Sequence, residues 1–170
     1  MKAIKYISAV SAAAVMAFAG AANAHVSPAG TTIELAGVLT LSQSQTLTCD
    51  VSITLQVNAA GTGGTATASL SAGDTGCGWP VQTTGTWSWS DIGPGTIRIT
   101  GVGANTLFGS CHSGVLDVVW TNGAGAGGRG LGAVSTVGSI PGSTVIPWNP
   151  SAPCQASGTV WPVSTVVTVS

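Results

Sequence analysis

Apolar and polar residues alternate strictly in the segment C-D-V-S-I-T-L-Q-V at residues 49–57. Its odd-numbered positions carry Cys, Val, Ile, Leu and Val, and its even-numbered positions carry Asp, Ser, Thr and Gln. A period of two places the apolar set on one face, so the segment predicts a half-buried β-strand. Residues 33–41 show the same alternation and predict a second strand of this kind.

Weaker alternation continues along the rest of the chain. We predict further strands at residues 65–72, 84–90, 96–102, 114–121, 133–137 and 158–169. Turn clusters such as N-A-A-G-T-G-G and D-I-G-P-G separate them, and no later window has the 3.6-residue period of a helix. The pattern predicts an all-β protein, an antiparallel β-sandwich of immunoglobulin-like or jelly-roll type, and it leaves the choice between these two open.

The first 24 residues have a different character. Lys2 and Lys5 precede an apolar run, which ends in the small-x-small motif Ala22-Asn23-Ala24. This is the pattern of a secretory signal peptide cleaved after Ala24. We therefore predict a signal peptide at 1–24, a single domain at 25–170 and a secreted protein. No later apolar run reaches the length of about 18 residues that a membrane-spanning helix needs, so we predict no membrane span.

Cleavage would leave few ionisable side chains. Residues 25–170 hold two arginines against five acidic residues, a formal charge of −3. Nucleic acids and anionic membranes bind clustered cations, so we predict neither as a partner. A surface with so few charges resists self-association poorly, and self-association remains a possible property of the chain.

All four cysteines lie in the predicted exported part. An even count in a secreted chain predicts two disulfides, and the zinc spacing C-x-x-C is absent. Of the three possible pairings we favour Cys49–Cys77 with Cys111–Cys154, in which each bridge closes a loop of roughly 30–40 residues.

His25 would become the first residue of the exported chain, which suggests a copper site. An N-terminal histidine binds copper through its α-amine and its ring, and His112 would supply the remaining nitrogen. Lytic polysaccharide monooxygenases use this arrangement, but they usually carry an axial aromatic residue, and the exported part has no tyrosine. We therefore predict no metal and no cofactor, with copper binding, as a carrier or an oxygenase, as the minor alternative.

Catalytic motifs are incomplete. The segment G-S-C-H-S-G at 109–114 places serines beside His112, but it does not match the nucleophile elbow G-x-S-x-G. The five acidic residues occur singly, so no paired-carboxylate site is visible. We predict no catalytic residues and a protein that is not an enzyme.

Six tryptophans are the other notable feature. Trp87 and Trp89 are two positions apart in a predicted strand and therefore share one face. Two interpretations follow: the pair fills the core, which we favour, or it forms an exposed aromatic platform for sugar, lipid or oil.

Several short motifs together resemble one family. They are V-S-P-A-G-T (26–31), L-T-C (47–49), G-x-I-x-I-T-G-V (95–102), G-S-C-H-S-G-V-L-x-V-V-W-x-N-G (109–123), I-P-G (140–142) and P-C-Q-A-S-G-T-V (153–160). The chain resembles the secreted bacterial protein activators of alkane oxidation, of the PraB type. The resemblance implies an exported, non-catalytic factor that helps bacteria grow on long-chain alkanes, and it supplies no catalytic residues.

Two hypotheses about function remain. In the first, the protein adsorbs at oil–water boundaries or cell surfaces, because apolar patches gain free energy on leaving water. In the second, it is a structural subunit of an extracellular fibre, adhesin or biofilm matrix. The closing segment V-P-V-S-T-V-V-T-V-S carries no charge that would protect a free strand edge from pairing with another copy.

Overall fold

The structure is a computed structural model that describes residues 25–79, 81–106, 109–144 and 152–170. The predicted signal peptide and its cleavage site lie outside the described residues. The described part is all-β, with one short 3-10 helix at Ala126–Gly128. Its strands are β1 (Val26–Ser27), β2 (Thr32–Ser42), β3 (Thr46–Val57), β4 (Gly63–Gly73), β5 (Gln82–Thr83), β6 (Trp87–Gly93), β7 (Thr96–Thr106), β8 (Gly109–Thr121), β9 (Leu131–Thr136), β10 (Gly142–Thr144), β11 (Gln155–Pro162) and β12 (Thr168–Val169).

Eight strands form a closed antiparallel barrel: β2, β3, β4, β6, β7, β8, β9 and β11. Each pairs with the next barrel strand along the chain, and β11 pairs back onto β2, from Leu35↔Pro162 to Ser42↔Gln155. This connectivity is an up-and-down meander closed into a ring.

The all-β prediction is confirmed, but the predicted sandwich is wrong. Alternation with a period of two reports only that each strand has one buried face. It does not report whether that face packs on a second sheet or on the opposite wall of the same sheet. The pairing of β11 with both β9 and β2 decides the question, because it leaves a single sheet closed on itself.

Two short strands extend one end of the barrel, which we call the upper end. There β5 pairs with β7 at Gln82↔Asn105, and β10 pairs with β8 at Gly142↔Cys111. They continue the wall beyond the pairing of β6 with β7 and of β9 with β8.

The opposite, lower end is closed by β1 and β12, which pair at Val26↔Val169. Val26, Val167 and Val169 are fully buried there. The side chain of Asn122 accepts a hydrogen bond from the Val169 N–H and donates one to the Val169 carbonyl, both at 2.9 Å. This contact imitates a strand pairing and fixes the closing segment to the end of β8.

The barrel interior holds three of the tryptophans. Trp87 and Trp89 are each only 3% exposed, and Trp120 is also buried. Their indole N–H groups donate to the backbone carbonyls of Thr84, Gln56 and Val167, respectively. Trp87 and Trp89 do share one face, as the spacing predicts, but that face is the core, so the pair forms no platform at the surface.

The favoured disulfide pairing is confirmed. Cys49–Cys77 joins β3 to the loop between β4 and β6, and Cys111–Cys154 joins β8 to the residue before β11. Both bridges lie towards the upper end, so they strengthen the wall where the sheet is least regular.

The longer strand of the closing segment, β11, does not offer the free edge that strand addition needs. β11 is hydrogen-bonded to β9 on one side and to β2 on the other, and β12 pairs with β1. Within the described C-terminal residues, each strand therefore already has a partner.

Candidate apolar binding sites

A partly open cavity lies inside the upper end of the barrel. Its volume is about 70 Å³. Apolar side chains from six strands and adjoining segments form most of its wall. The principal ones are Leu39, Val51, Leu70, Trp87, Val102 and Leu116.

Strand alternation explains why these side chains converge. Leu39 and Val51 lie on the inward faces of β2 and β3, and Leu116 lies on that of β8. Further down, the indoles of Trp89 and Trp120 occupy the interior, and β1 and β12 close the lower end. The cavity is therefore a pocket with a closed floor, and the core is filled below it.

One side of the cavity depends on a glycine. Ile140 packs over Gly114 of β8, where an added Cβ would lie 2.7 Å from the Ile140 side chain. Ile140 also pairs with Cys154, whose disulfide returns to β8 at Cys111. The disulfide and Ile140 thus close the wall above β9. Cys111, Ile140 and Cys154 all line the cavity.

Polar side chains border the mouth. Gln43, in the turn between β2 and β3, accepts a hydrogen bond from the Thr106 hydroxyl at 2.7 Å. The amide nitrogen of Gln43 is buried without a partner. An unsatisfied buried donor costs on the order of 1–3 kcal/mol. This cost offsets the hydrogen bond to Thr106, so little free energy holds the Gln43 side chain across the mouth.

A second apolar feature lies on the outside of the barrel. Across four neighbouring strands, the register aligns Val119 with Ala133, Ala133 with Thr159 and Thr159 with Val38. The adjoining row carries Leu131 of β9, which pairs with Thr121 of β8, and Trp161 of β11, which pairs with Ala36 of β2. We call the following set the outer apolar strip: Val38, Val119, Leu131, Ala133, Trp161 and Val163.

The strip is exposed and carries no charged member. Val119 is 53% exposed, Val163 is 46% exposed and Trp161 is 36% exposed. Side chains on one face of adjacent strands lie about 5 Å apart, so these residues, together with Thr159 between Ala133 and Val38, form one surface rather than isolated points.

Charged residues stand at its borders. Arg98 of β7 contacts Asp117 of β8 through two hydrogen bonds of 2.8 Å. The hydrogen bond to Asp117 raises the pKa of Arg98 above its ordinary value, and the charge of Asp117 adds to this effect. Because the pair is internally neutralised, it adds little net charge beside the strip. At the lower end, the Arg129 guanidinium donates to the carbonyl of Val163, so its charge also lies beside the strip.

The two histidines of the copper alternative are not brought together. His25 hydrogen-bonds Ser170 beside the β1–β12 pair at the lower end. His112 lies near the start of β8, and its backbone N–H donates to the Pro141 carbonyl at the upper end. About ten residues of extended strand separate His112 from Asn122, which corresponds to roughly 30 Å. Across the described part of the chain, no three residues among His, Cys, Asp and Glu form a group that would hold a metal ion.

Comparison with known families gives a match over the whole chain. The model of the family described as alkane oxidation protein activator PraA/PraB-like matches residues 1–170. The chain belongs to this family. It matches no curated protein and no solved structure.

Membership of the alkane oxidation activators agrees with the resemblance of the short motifs. The family is described as an activator, which is consistent with a protein that catalyses no reaction. The two disulfides are consistent with an oxidising, extracellular location. Among the described residues there is no helix long and apolar enough to cross a bilayer.

Sequence reasoning missed both apolar features of this family member. The inward positions of β2 and β3 were identifiable, but a cavity among them depends on ring closure and on strand lengths. The strip depends on register, which places outward residues of β8, β9, β11 and β2 side by side. A signal was present in the outward valines Val38 and Val119, which interrupt the polar faces of their strands.

Proposed function

We propose that the protein is exported, that it promotes alkane oxidation without catalysing it, and that it acts by adsorbing at hydrocarbon or cell surfaces. The outer apolar strip is the observation that carries this proposal. Its exposed valines and its tryptophan lie on one side of the barrel, and the family description supplies the class of surface, an alkane.

The energetics favour adsorption by such a strip. Each half-exposed valine or tryptophan would contribute about 1 kcal/mol on leaving water, so the four most exposed members together contribute roughly 4 kcal/mol. Because residues 25–170 carry only seven charged side chains, few charges have to lose water when the protein meets an apolar phase. Hydroxyl-bearing side chains on other outer faces, such as Ser52 and Thr67, would stay in contact with water.

Export is the second element of the proposal. It is supported by the signal-like sequence of residues 1–24 and by the two disulfides. Intact-mass measurement of protein from culture supernatant should give a chain that begins at His25 with no free thiol. A cell-retained chain that begins at Met1 would contradict export.

Drop tensiometry of the hexadecane–water interface tests adsorption. Purified protein at micromolar concentration should lower the interfacial tension. The triple variant Val119→Thr, Trp161→Ser, Val163→Thr should lower it much less, because it makes three of the most exposed members of the outer apolar strip polar and leaves the core intact. Ile92→Thr is the control: Ile92 is 44% exposed but lies in β6, four strands from β11 around the ring. An unchanged tension with the unmodified protein would overturn the mechanism.

Growth provides the biological readout. A deletion strain should grow poorly on hexadecane and normally on a soluble carbon source. Purified protein added to the medium should restore growth, and the triple variant should not. Rescue by the triple variant equal to that by the unmodified protein would contradict a role for the strip.

A further inference from the structure

We infer that the cavity inside the upper end of the barrel is a binding site for the methyl end of an unbranched alkyl chain. This inference is independent of adsorption by the outer strip, because the cavity and the strip use different faces of the sheet. The inward residues form the cavity, and the outward residues form the strip.

The chemistry of the wall selects an apolar ligand. Leu39, Val102 and Leu116 present aliphatic groups, and the indole N–H of Trp87 is already bonded to the Thr84 carbonyl at 2.9 Å. Water held inside a protein needs about two to four polar partners, and this part of the interior offers few. A hydrocarbon group therefore fills the space without displacing well-bonded water.

The size of the cavity selects a chain end over a ring. Its volume of about 70 Å³ is roughly half that of an apolar cavity of about 150 Å³ that holds benzene. By proportion it holds about three carbon atoms of a slender chain. The rest of a long chain would have to continue out through the mouth.

The mouth is suited to such an exit. It is bordered by Gln43 and Thr106, and the hydrogen bond from the Thr106 hydroxyl to the Gln43 side chain joins the β2–β3 turn to the end of β7. Because the Gln43 amide nitrogen has no partner, the Gln43 side chain can move aside at the cost of its bond to Thr106. The mouth residues are polar but uncharged, so they do not require a charged headgroup on the ligand.

Methyl NMR tests the inference with the exported chain, residues 25–170, labelled at Ile, Leu and Val methyl groups. Titration with n-hexane should produce saturable shifts at Leu39, Val102 and Leu116. The methyls of Val38 and Val119 on the outer strip should not share this saturation. Cyclohexane has the same number of carbon atoms and should bind about tenfold more weakly or not at all, because the ring exceeds the cavity.

A pair of matched variants locates the site. Ala156 lines the cavity, and Thr67 lies on the outer face of β4, outside the outer apolar strip. Ala156→Leu should weaken n-hexane binding about tenfold because the added carbons occupy the space, whereas Thr67→Leu should leave binding unchanged. If Ala156→Leu fails to fold, Ala104→Leu near the mouth serves the same purpose.

The inference is overturned if cyclohexane binds as tightly as n-hexane, if the shifts spread evenly over inner and outer methyls, or if a folded cavity-filling variant still binds n-hexane normally. Hexanoate separates the two sources of an alkyl chain. Tighter binding of n-hexane identifies a free alkane as the ligand, and tighter binding of hexanoate identifies the tail of a fatty acid or lipid. Neither outcome depends on the tension measured at a hexadecane interface. A negative result in the methyl titration would therefore contradict alkyl binding in the cavity without contradicting adsorption by the outer strip, and the reverse also holds.

Discussion

The indole ring of Trp120 lies directly against the α-carbon of Gly130. A Cβ added at Gly130 would lie 2.6 Å from the Nε1 and Cζ2 atoms of the ring. The backbone of Gly130 has a φ of +108°, a conformation that residues other than glycine rarely adopt. Space and backbone conformation thus both require glycine here, and the indole holds Val167 of the lower-end closure through its N–H at 3.1 Å.

Gly130→Ala should therefore destabilise the protein strongly. Overpacking against the ring costs about 1–3 kcal/mol, and backbone strain costs a similar amount. Urea unfolding followed by tryptophan fluorescence measures the loss. Gly123→Ala is the control, since Gly123 has a φ of +71° but open space around it. A loss at Gly130 no larger than that at Gly123 would show that the contact with Trp120 does not matter.

Leu116→Ala should both destabilise the barrel and enlarge the cavity. Leu116 is buried and lines the cavity, so its truncation should cost about 2–5 kcal/mol. Val119→Ala, three residues along the same strand but exposed, should cost much less. The enlarged cavity should admit cyclohexane, which the same methyl titration detects. A folded Leu116→Ala variant that still excludes the ring would contradict our placement of the cavity wall.

Removal of the disulfides should lower stability by comparable amounts. The bridges link residues 28 and 43 positions apart. Loop-closure entropy then predicts losses of about 3.5 kcal/mol for Cys49→Ala with Cys77→Ala and about 4 kcal/mol for Cys111→Ala with Cys154→Ala. Only the second pair lies in the cavity wall, so only its removal should also weaken n-hexane binding. Equal binding losses in both double variants would argue for a general loosening instead.

Asn122→Ala should loosen the lower end without unfolding the barrel. The variant removes both hydrogen bonds to Val169, which together contribute about 1–3 kcal/mol. Hydrogen exchange of the Val169 amide should accelerate, while amides in the middle of β3, such as Ile53, should remain protected. Unchanged exchange at Val169 would show that the β1–β12 pairing alone holds the segment.

The amount that sequence could predict differs between levels of structure. Strand faces follow from a local period, so the inward positions Ile33 to Leu39 and Val51 to Val57 were predictable. Strand order is a long-range property, and nothing near Val160 indicates that β11 pairs with β2. A closed ring and a sandwich satisfy the same alternation, which explains why the predicted sandwich was wrong.

The tryptophans illustrate the same limit. The shared face of Trp87 and Trp89 followed from their spacing. Whether that face is buried depended on which face of the sheet became the inside of the barrel. Trp161 belongs to the outer strip because Val160 and Pro162 on either side of it face inward. Nothing in the residue type distinguishes these two outcomes, so burial had to come from the fold.

The seam between β11 and β2 has a consequence for how the chain matures. It joins Leu35 to Pro162, whereas the other barrel pairings join strands that follow one another along the meander. A chain that emerges with its N-terminal end first can pair β2, β3 and β4 in order, but it must keep one edge of β2 unpaired until β11 arrives. Such long-range pairing is slow, so the interval before ring closure is when the chain is most open to proteases and to pairing with other chains.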